Sequence, residues 1–203
     1  MREVHHRIKN NLQGVAGLLQ QVAVRKPEVA DVISEVVGQV HAIAQVFGLQ
    51  VGSAGPLRVT SVVEAITGSV QRTFGRTITL SVRGHSPREW ALPEAESIPI
   101  ALTINELLTN AVKHSVAVAH GSFDPVACTL RLSDEGVCVE ISNRAQLPEG
   151  FSLARFPGGV SGLGLVRALL PRRSASLTIE QHGAQVVSSV LLVPPGVSRL
   201  EPG

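Results

Sequence analysis

Two histidines stand side by side at the start of the chain, in "EVHHRIKNNLQ" (residues 3–13), followed by Arg7, Lys9 and a pair of asparagines. An α-helix turns about 100° per residue, so neighbouring imidazoles diverge and cannot readily grip one metal ion. With the apolar stripe centred on Val4, Ile8, Val15 and Val22, His6 falls on the solvent side and His5 at the edge of the stripe. Glu3, Lys9, Asn10 and Gln13 lie three, four or seven residues from His6 and share its face. A cation beside an imidazole disfavours its protonated form and leaves a lone pair available. Arg7 and Lys9 would also meet an incoming phosphoryl group. A phosphate-accepting histidine needs these features. The plainer alternatives are a solvated helix face or a DNA-reading helix, and the second would require far more basic character in the rest of the chain.

A second constellation lies in "NELLTNAVKHS" (105–115), where Glu106, Asn110 and His114 recur at i, i+4 and i+8 with Lys113 beside them. The opposite face carries Ala101, Leu102, Leu108 and Val112. Asparagine is a poor helix former, so Asn110 in mid-helix calls for a reason. A carboxamide oxygen can ligate Mg²⁺, a hard cation that prefers oxygen. A third motif, "SGLGL" (161–165), places glycines ahead of a helix, where backbone N–H groups can approach phosphate.

The elements that must position these groups follow from periodicity. Residues 2–24 read as an amphipathic helix on Val4, Ile8, Leu12, Val15, Leu19 and Val22, and residues 28–50 as a second, with Pro27 in its first turn. Such an αα-hairpin has too little core to stand alone, and pairing with a second copy as a four-helix bundle is expected. "GSAGP" (52–56) reads as a linker. Beyond it, Ser61 with Glu64 suggests a capping box opening a helix to Phe74, and residues 77–84 alternate as a strand. Residues 97–115 form a helix with Ser97 as N-cap and Pro99 in its first turn. Hairpins are expected over 126–142 and 175–193, and the final "PPGVSRLEPG" as a loose tail. The fold class is therefore α+β: a helical hairpin over 1–51, then a domain over 57–195 with about five strands and three helices.

Bulk composition narrows the function classes. The chain has 203 residues, of which 44% are apolar and 17% charged, with a net charge of +2. A packed core is expected, and bulk electrostatic binding to nucleic acid is not. Cys128 and Cys138 sit in apolar alternating runs and read as reduced thiols. No apolar run approaches the roughly 20 residues of a membrane span and no signal peptide is evident, so a cytoplasmic protein without a membrane segment is expected. Nothing before Glu3 could serve as a sensor, which suggests a longer parent chain or an input delivered by a separate partner.

These motifs together resemble a known family. "EVHHRIKNNLQ" is similar to the phosphoacceptor helix of bacterial sensor histidine kinases whose box reads H-R-x-K-N, "NELLTNAVKHS" to the N-box of the GHKL (Bergerat-fold) ATPase domain, and "SGLGL" to its second glycine box. The resemblance spans nearly the whole chain in the family's own order. It implies a dimerisation and phosphotransfer hairpin followed by a Bergerat-type α/β sandwich with a mixed sheet, with Mg²⁺ and ATP as cofactors. It makes His6 the phosphoacceptor, with Lys9 and Asn10 beside it. Glu106 and Asn110 fall where the family handles Mg²⁺ and water, Lys113 and His114 where it contacts phosphate, and Gly162, Leu163 and Gly164 in the phosphate lid. The implied partners are a second copy of the chain and a response-regulator receiver domain.

The sequence also departs from the family. Ser142 or Asn143 stands where an adenine-reading aspartate is usual, and Arg144 and Gln146 replace the glycines of the first glycine box. The segment between Phe151 and Ser161 is short for a lid, and "HGAQVV" lacks the usual threonine. The intact N-box favours an ATP-dependent histidine kinase. The altered adenine box leaves a phosphorelay histidine phosphotransferase on the same scaffold as the alternative.

Overall fold

Alternating apolar residues and two long amphipathic runs dictate a helical hairpin joined to a helix-covered sheet. The computed structural model describes residues 2–52, 55–84, 90–117, 122–156 and 158–200. Ser53 and Ala54 of the expected linker and the last three residues of the expected tail lie outside these.

Helix α1 spans Arg2–Arg25, and a 3-10 turn at Pro27–Val29 leads into α2, Ala30–Gly52. The face of α1 that packs on α2 is centred on buried Ala16, with His5, Ile8, Leu12 and Leu19 partly covered. This corrects the expected stripe. Val4 (57% exposed), Val15, Leu18 (64%) and Val22 form a second apolar seam that a single neighbouring helix cannot reach. Val29 of the 3-10 turn and Val32 and Val36 of α2 are exposed likewise. One composition-based expectation also changes. Pro27–Val51 is long and apolar enough, by length and composition, to cross a membrane. Its apolar residues have more than one surface to serve, since α2 packs on α1 and on the second domain.

Strand β1 (Leu57–Arg58) leads directly into α3 (Val59–Phe74). The expected capping box at Ser61 and Glu64 is not what opens this helix: Arg58 flanks it in extended conformation, with no side-chain cap. The backbone is pinned instead by antiparallel pairing of β1 with β3 (Trp90–Leu92). Gly75, at φ 60°, closes α3 in the left-handed conformation that glycine adopts without penalty. Helix α4 runs Glu94–Lys113, starting three residues earlier than expected. Ser97 lies inside it, its hydroxyl donating to the Glu94 carbonyl at 2.8 Å, while Glu94 and Glu96 supply negative charge to the first turn.

The main sheet has the order β2 (Ile78–Arg83), β4 (Val126–Leu132), β5 (Val137–Arg144), β7 (Gln185–Leu192), β6 (Ala175–His182). Strands β2 and β4 are parallel and the other pairs antiparallel, so the sheet is mixed as expected. The core joins Ile66 of α3 and Ile100, Ile104 and Leu108 of α4 to Leu130, Ile141 and Leu192 of the sheet. Buried Cys128 belongs to this layer, and burial pushes its thiol up to about 11. The described part of the tail, residues 194–200, is not loose: Val197 is buried, and β8 (Ser198–Arg199) pairs with β3 to complete a three-stranded sheet β1–β3–β8.

Ile104→Ala should destabilise the protein by about 2–5 kcal/mol, the range for truncating a fully buried aliphatic side chain, read from the shift of a urea unfolding curve.

Candidate functional site

His6 is exposed on α1, and the His5 ring packs against Phe47 of α2 with centroids 5.6 Å apart. The two adjacent imidazoles are thus divided as helical geometry requires, one inward and one outward. Arg7 is held by Glu3 at 2.7 Å, so its cation is already paired. Asn10 is exposed beside His6. Lys9 leans over α2, where a Cβ built on Gly48 would lie 3.4 Å from its Nζ.

The polar ridge of α4 runs from interior to solvent: Glu106 is 3% exposed, Asn110 half-buried, and Lys113 and His114 exposed. His114 ends the helix, its N–H donating to the Asn110 carbonyl at 2.9 Å. Glu106 accepts two hydrogen bonds. Gln39 Nε2 of α2 donates to Oε1 at 3.1 Å, and the Gly162 backbone N–H donates to Oε2 at 2.9 Å. Burial raises the Glu106 carboxyl above its ordinary range, opposed by the bonds from Gln39 and Gly162; Glu35 pushes it further up and Lys113 back down. Lys113 Nζ pairs with Glu35 of α2 at 3.1 Å.

Helix α5 (Gly162–Leu169) opens at Gly162, where φ is +58°, a conformation that lets the loop deliver its N–H to Glu106. Gly164 follows inside the helix, and a Cβ built on Gly159 would lie 3.6 Å from its Cα. Leu163 packs against the hydrophobic core instead of lining the loop. From within α5, Arg167 Nη1 gathers the carbonyls of Leu153 (3.0 Å), Ala154 (3.1 Å) and Phe156, which pins the start of the short lid segment.

The strand alternation separates Ser142 from Asn143. Asn143 faces the helix layer with Val137, Val139 and Ile141, while Ser142 lies on the other side of the sheet. Asn143 Nδ2 donates to Ser115 Oγ at 3.4 Å, and Ser115 Oγ donates to the Ala111 carbonyl at 2.6 Å. Asn143 is therefore the member of this pair that shares a face with α4.

His6 does not meet the α4 ridge. Lys9 lies against Gly48, which puts His6 near the level of Val51, about 18 Å along α2 from Gln39 at 1.5 Å per residue. Sequence reading missed Glu35, Gln39, Ser115 and Arg167. The i, i+4 spacing of Glu35 and Gln39, two polar groups on one face of an apolar helix, is the signal that could have found the first two.

A helical hairpin that turns one histidine outward is thus joined to a mixed-sheet domain whose glycine loop meets a polar ridge on α4. Residues 3–74 match the family model described as histidine kinase. The sensor histidine kinase PdtaS of Mycobacterium tuberculosis is 29% identical over 209 residues, covering 97% of this chain and 39% of that protein. The chain thus spans about two fifths of the length of the curated relatives it matches. Among solved structures, the histidine kinase domain of the Erythrobacter litoralis EL346 blue-light activated histidine kinase superposes with a TM-score of 0.59 at 20% identity, covering 94% of this chain and 89% of that one. Histidine kinase ThkA in complex with the response regulator protein TrrA superposes with a TM-score of 0.53 at 13% identity, covering 94% and 61%. Together these findings support membership of the two-component sensor histidine kinases.

The sign of the Glu106 shift fixes a pH dependence. Between the ordinary glutamate range and its raised value, the native state binds more protons than the unfolded chain, so this group's contribution to stability falls as pH rises through that window. Carbon-detected NMR titration should place the Glu106 carboxyl above the exposed glutamates, and Gln39→Ala should raise it further by removing a donor to the carboxylate.

Proposed function

We propose that the chain is the core of an ATP-dependent protein-histidine kinase: His6 attacks the γ-phosphoryl of ATP and later yields it to an aspartate of a response regulator. The observation that carries this reading is the meeting of Glu106 with the Gly162 amide, which brings the N-box and the glycine loop together across 56 residues of sequence. The donor set fits Mg-ATP. Half-buried Asn110 offers a carboxamide oxygen of the kind Mg²⁺ accepts, Lys113 a cation, and Gly162 a backbone N–H at a helix start. Mg²⁺, when bound, would spread charge over the phosphate oxygens. Asn143, buried beside Ser115, would present an amide to the base where relatives carry a carboxylate. His6 needs no activation beyond an accessible lone pair, and its exposure supplies that.

The second apolar seam on the hairpin favours a homodimer. Val4, Val15, Leu18 and Val22 of α1, with Val29 of the 3-10 turn and Val32 and Val36 of α2, offer a face that a second hairpin would cover, giving a four-helix bundle. A specific observation also favours the relay alternative. The Gly162 amide is already engaged by a carboxylate and an asparagine replaces the base-reading aspartate, so a histidine phosphotransferase without ATP chemistry is the competing function.

Labelling with ATP carrying γ-³²P decides between them. A kinase gives acid-labile label on the wild type and on His5→Gln, none on His6→Gln, and a reduced yield on Asn110→Ala. A relay gives no label from ATP and takes phosphate only from a phosphorylated regulator. Val15→Asp combined with Leu18→Asp should convert a dimer to a monomer in light scattering, by placing two charges in the seam.

A further inference from the structure

We infer that α2 is an autoinhibitory latch, whose Gln39 and Glu35 occupy the same groups of α4 and the glycine loop that a nucleotide would use. This inference rests on the ATP-dependent reading above and adds a regulatory state to it.

The latch has two hooks on one helix face. Gln39 Nε2 spends both of its protons, one on Glu106 Oε1 at 3.1 Å and one on the Val160 carbonyl at 3.2 Å. One side chain of the hairpin therefore grips the N-box and the glycine loop together. Glu35, one helical turn earlier, neutralises Lys113 at 3.1 Å. Gly38, between them in sequence, faces the same helix, a Cβ built there lying in ordinary contact at 3.6 Å from Asn105 Nδ2. The Val160 side chain is 88% exposed, so this residue is tied to the hairpin through its carbonyl and not through its side chain.

The consequence follows from charge. Glu106 Oε2 takes the Gly162 N–H at 2.9 Å, which puts an anion where a phosphate oxygen would be received. A carboxylate and a phosphate cannot share that donor without strong repulsion. Gln39 stabilises the carboxylate in this position by satisfying its other oxygen, and Glu35 removes the cation that would draw phosphate in. A nucleotide must therefore break both hooks, and a shift of α2 against α4 breaks both at once, since they sit four residues apart. The roughly 18 Å between His6 and Gln39 along the hairpin marks the same arrangement as one in which phosphoryl transfer within a protomer does not occur.

The test uses the full chain carrying Glu35→Ala and Gln39→Ala, neither residue belonging to the proposed nucleotide-binding set, with circular dichroism to confirm folding. Amide hydrogen exchange over residues 158–166 without nucleotide, and the affinity for Mg-ATP by calorimetry, are the two readouts. The latch predicts faster exchange in the variant and binding about ten-fold tighter, the effect of one or two part-exposed hydrogen bonds. Unchanged exchange overturns it. Faster exchange with unchanged or weaker affinity overturns the autoinhibitory role, while a failure of both proteins to bind Mg-ATP, even with the loop loosened, overturns the ATP-dependent reading and the latch with it.

Discussion

Burying the Glu106 carboxylate is the constraint around which the two halves of the chain are arranged. A nearly water-free carboxylate must find donors or give up its charge. The helix that carries it supplies none to its side chain, so the donors come from elsewhere: an amide of α2 and the N–H that opens α5. Satisfying one side chain therefore fixes where the hairpin rests on the domain and where the glycine loop stands. The raised titration of Glu106 is the residue of this compromise, since two hydrogen bonds offset burial only in part.

The hairpin has the opposite character. Its helices are bound to each other by small and aliphatic contacts around Ala16, Val37 and Ala44, and they leave a second apolar seam in the open. A surface helix ordinarily carries one apolar stripe. Two seams on α1 explain why it reads both as an amphipathic helix and as a bundle element, while burial on two sides and exposed valines make the next segment, Pro27–Val51, apolar enough to read as a membrane-crossing candidate.

Much of the fold was legible because it is periodic. The five strands of the main sheet, both long helices of the hairpin and the outward turn of His6 all follow from spacings of two and of three to four residues. What escaped detection has no period. β1 and β8 are two residues long and β3 three, and each exists only because another segment of the chain lies beside it. The start of α4 was misplaced because Ser97 is a fine N-cap by type, while the acidic turn before it carries the helix one turn further. In the site, Glu106, Asn110 and Lys113 declared themselves by residue type on one helix. Gln39 and Glu35 show in the sequence only as two polar groups four residues apart on an apolar helix, a spacing that does not name their partners, which lie 67 and 78 residues away. The choice between Ser142 and Asn143 needed only the side of the strand, which the sequence implies once the buried positions of β5 are known.

The small sheet β1–β3–β8 has a mechanical meaning. Only four residues separate Gly52, the end of α2, from Leu57 of β1, a tether of five steps that spans at most about 18 Å. β1 is paired to Trp90–Leu92, which β8 braces from the opposite edge. Trp90 ties this small sheet to the large one, its indole N–H donating to the Ser133 carbonyl at 3.0 Å in the β4–β5 turn, with the Arg199 guanidinium of β8 5.3 Å from its ring centroid. β8 thus acts as a buttress: the point where the chain enters the domain from the hairpin is shored up by a strand from the far end of the sequence.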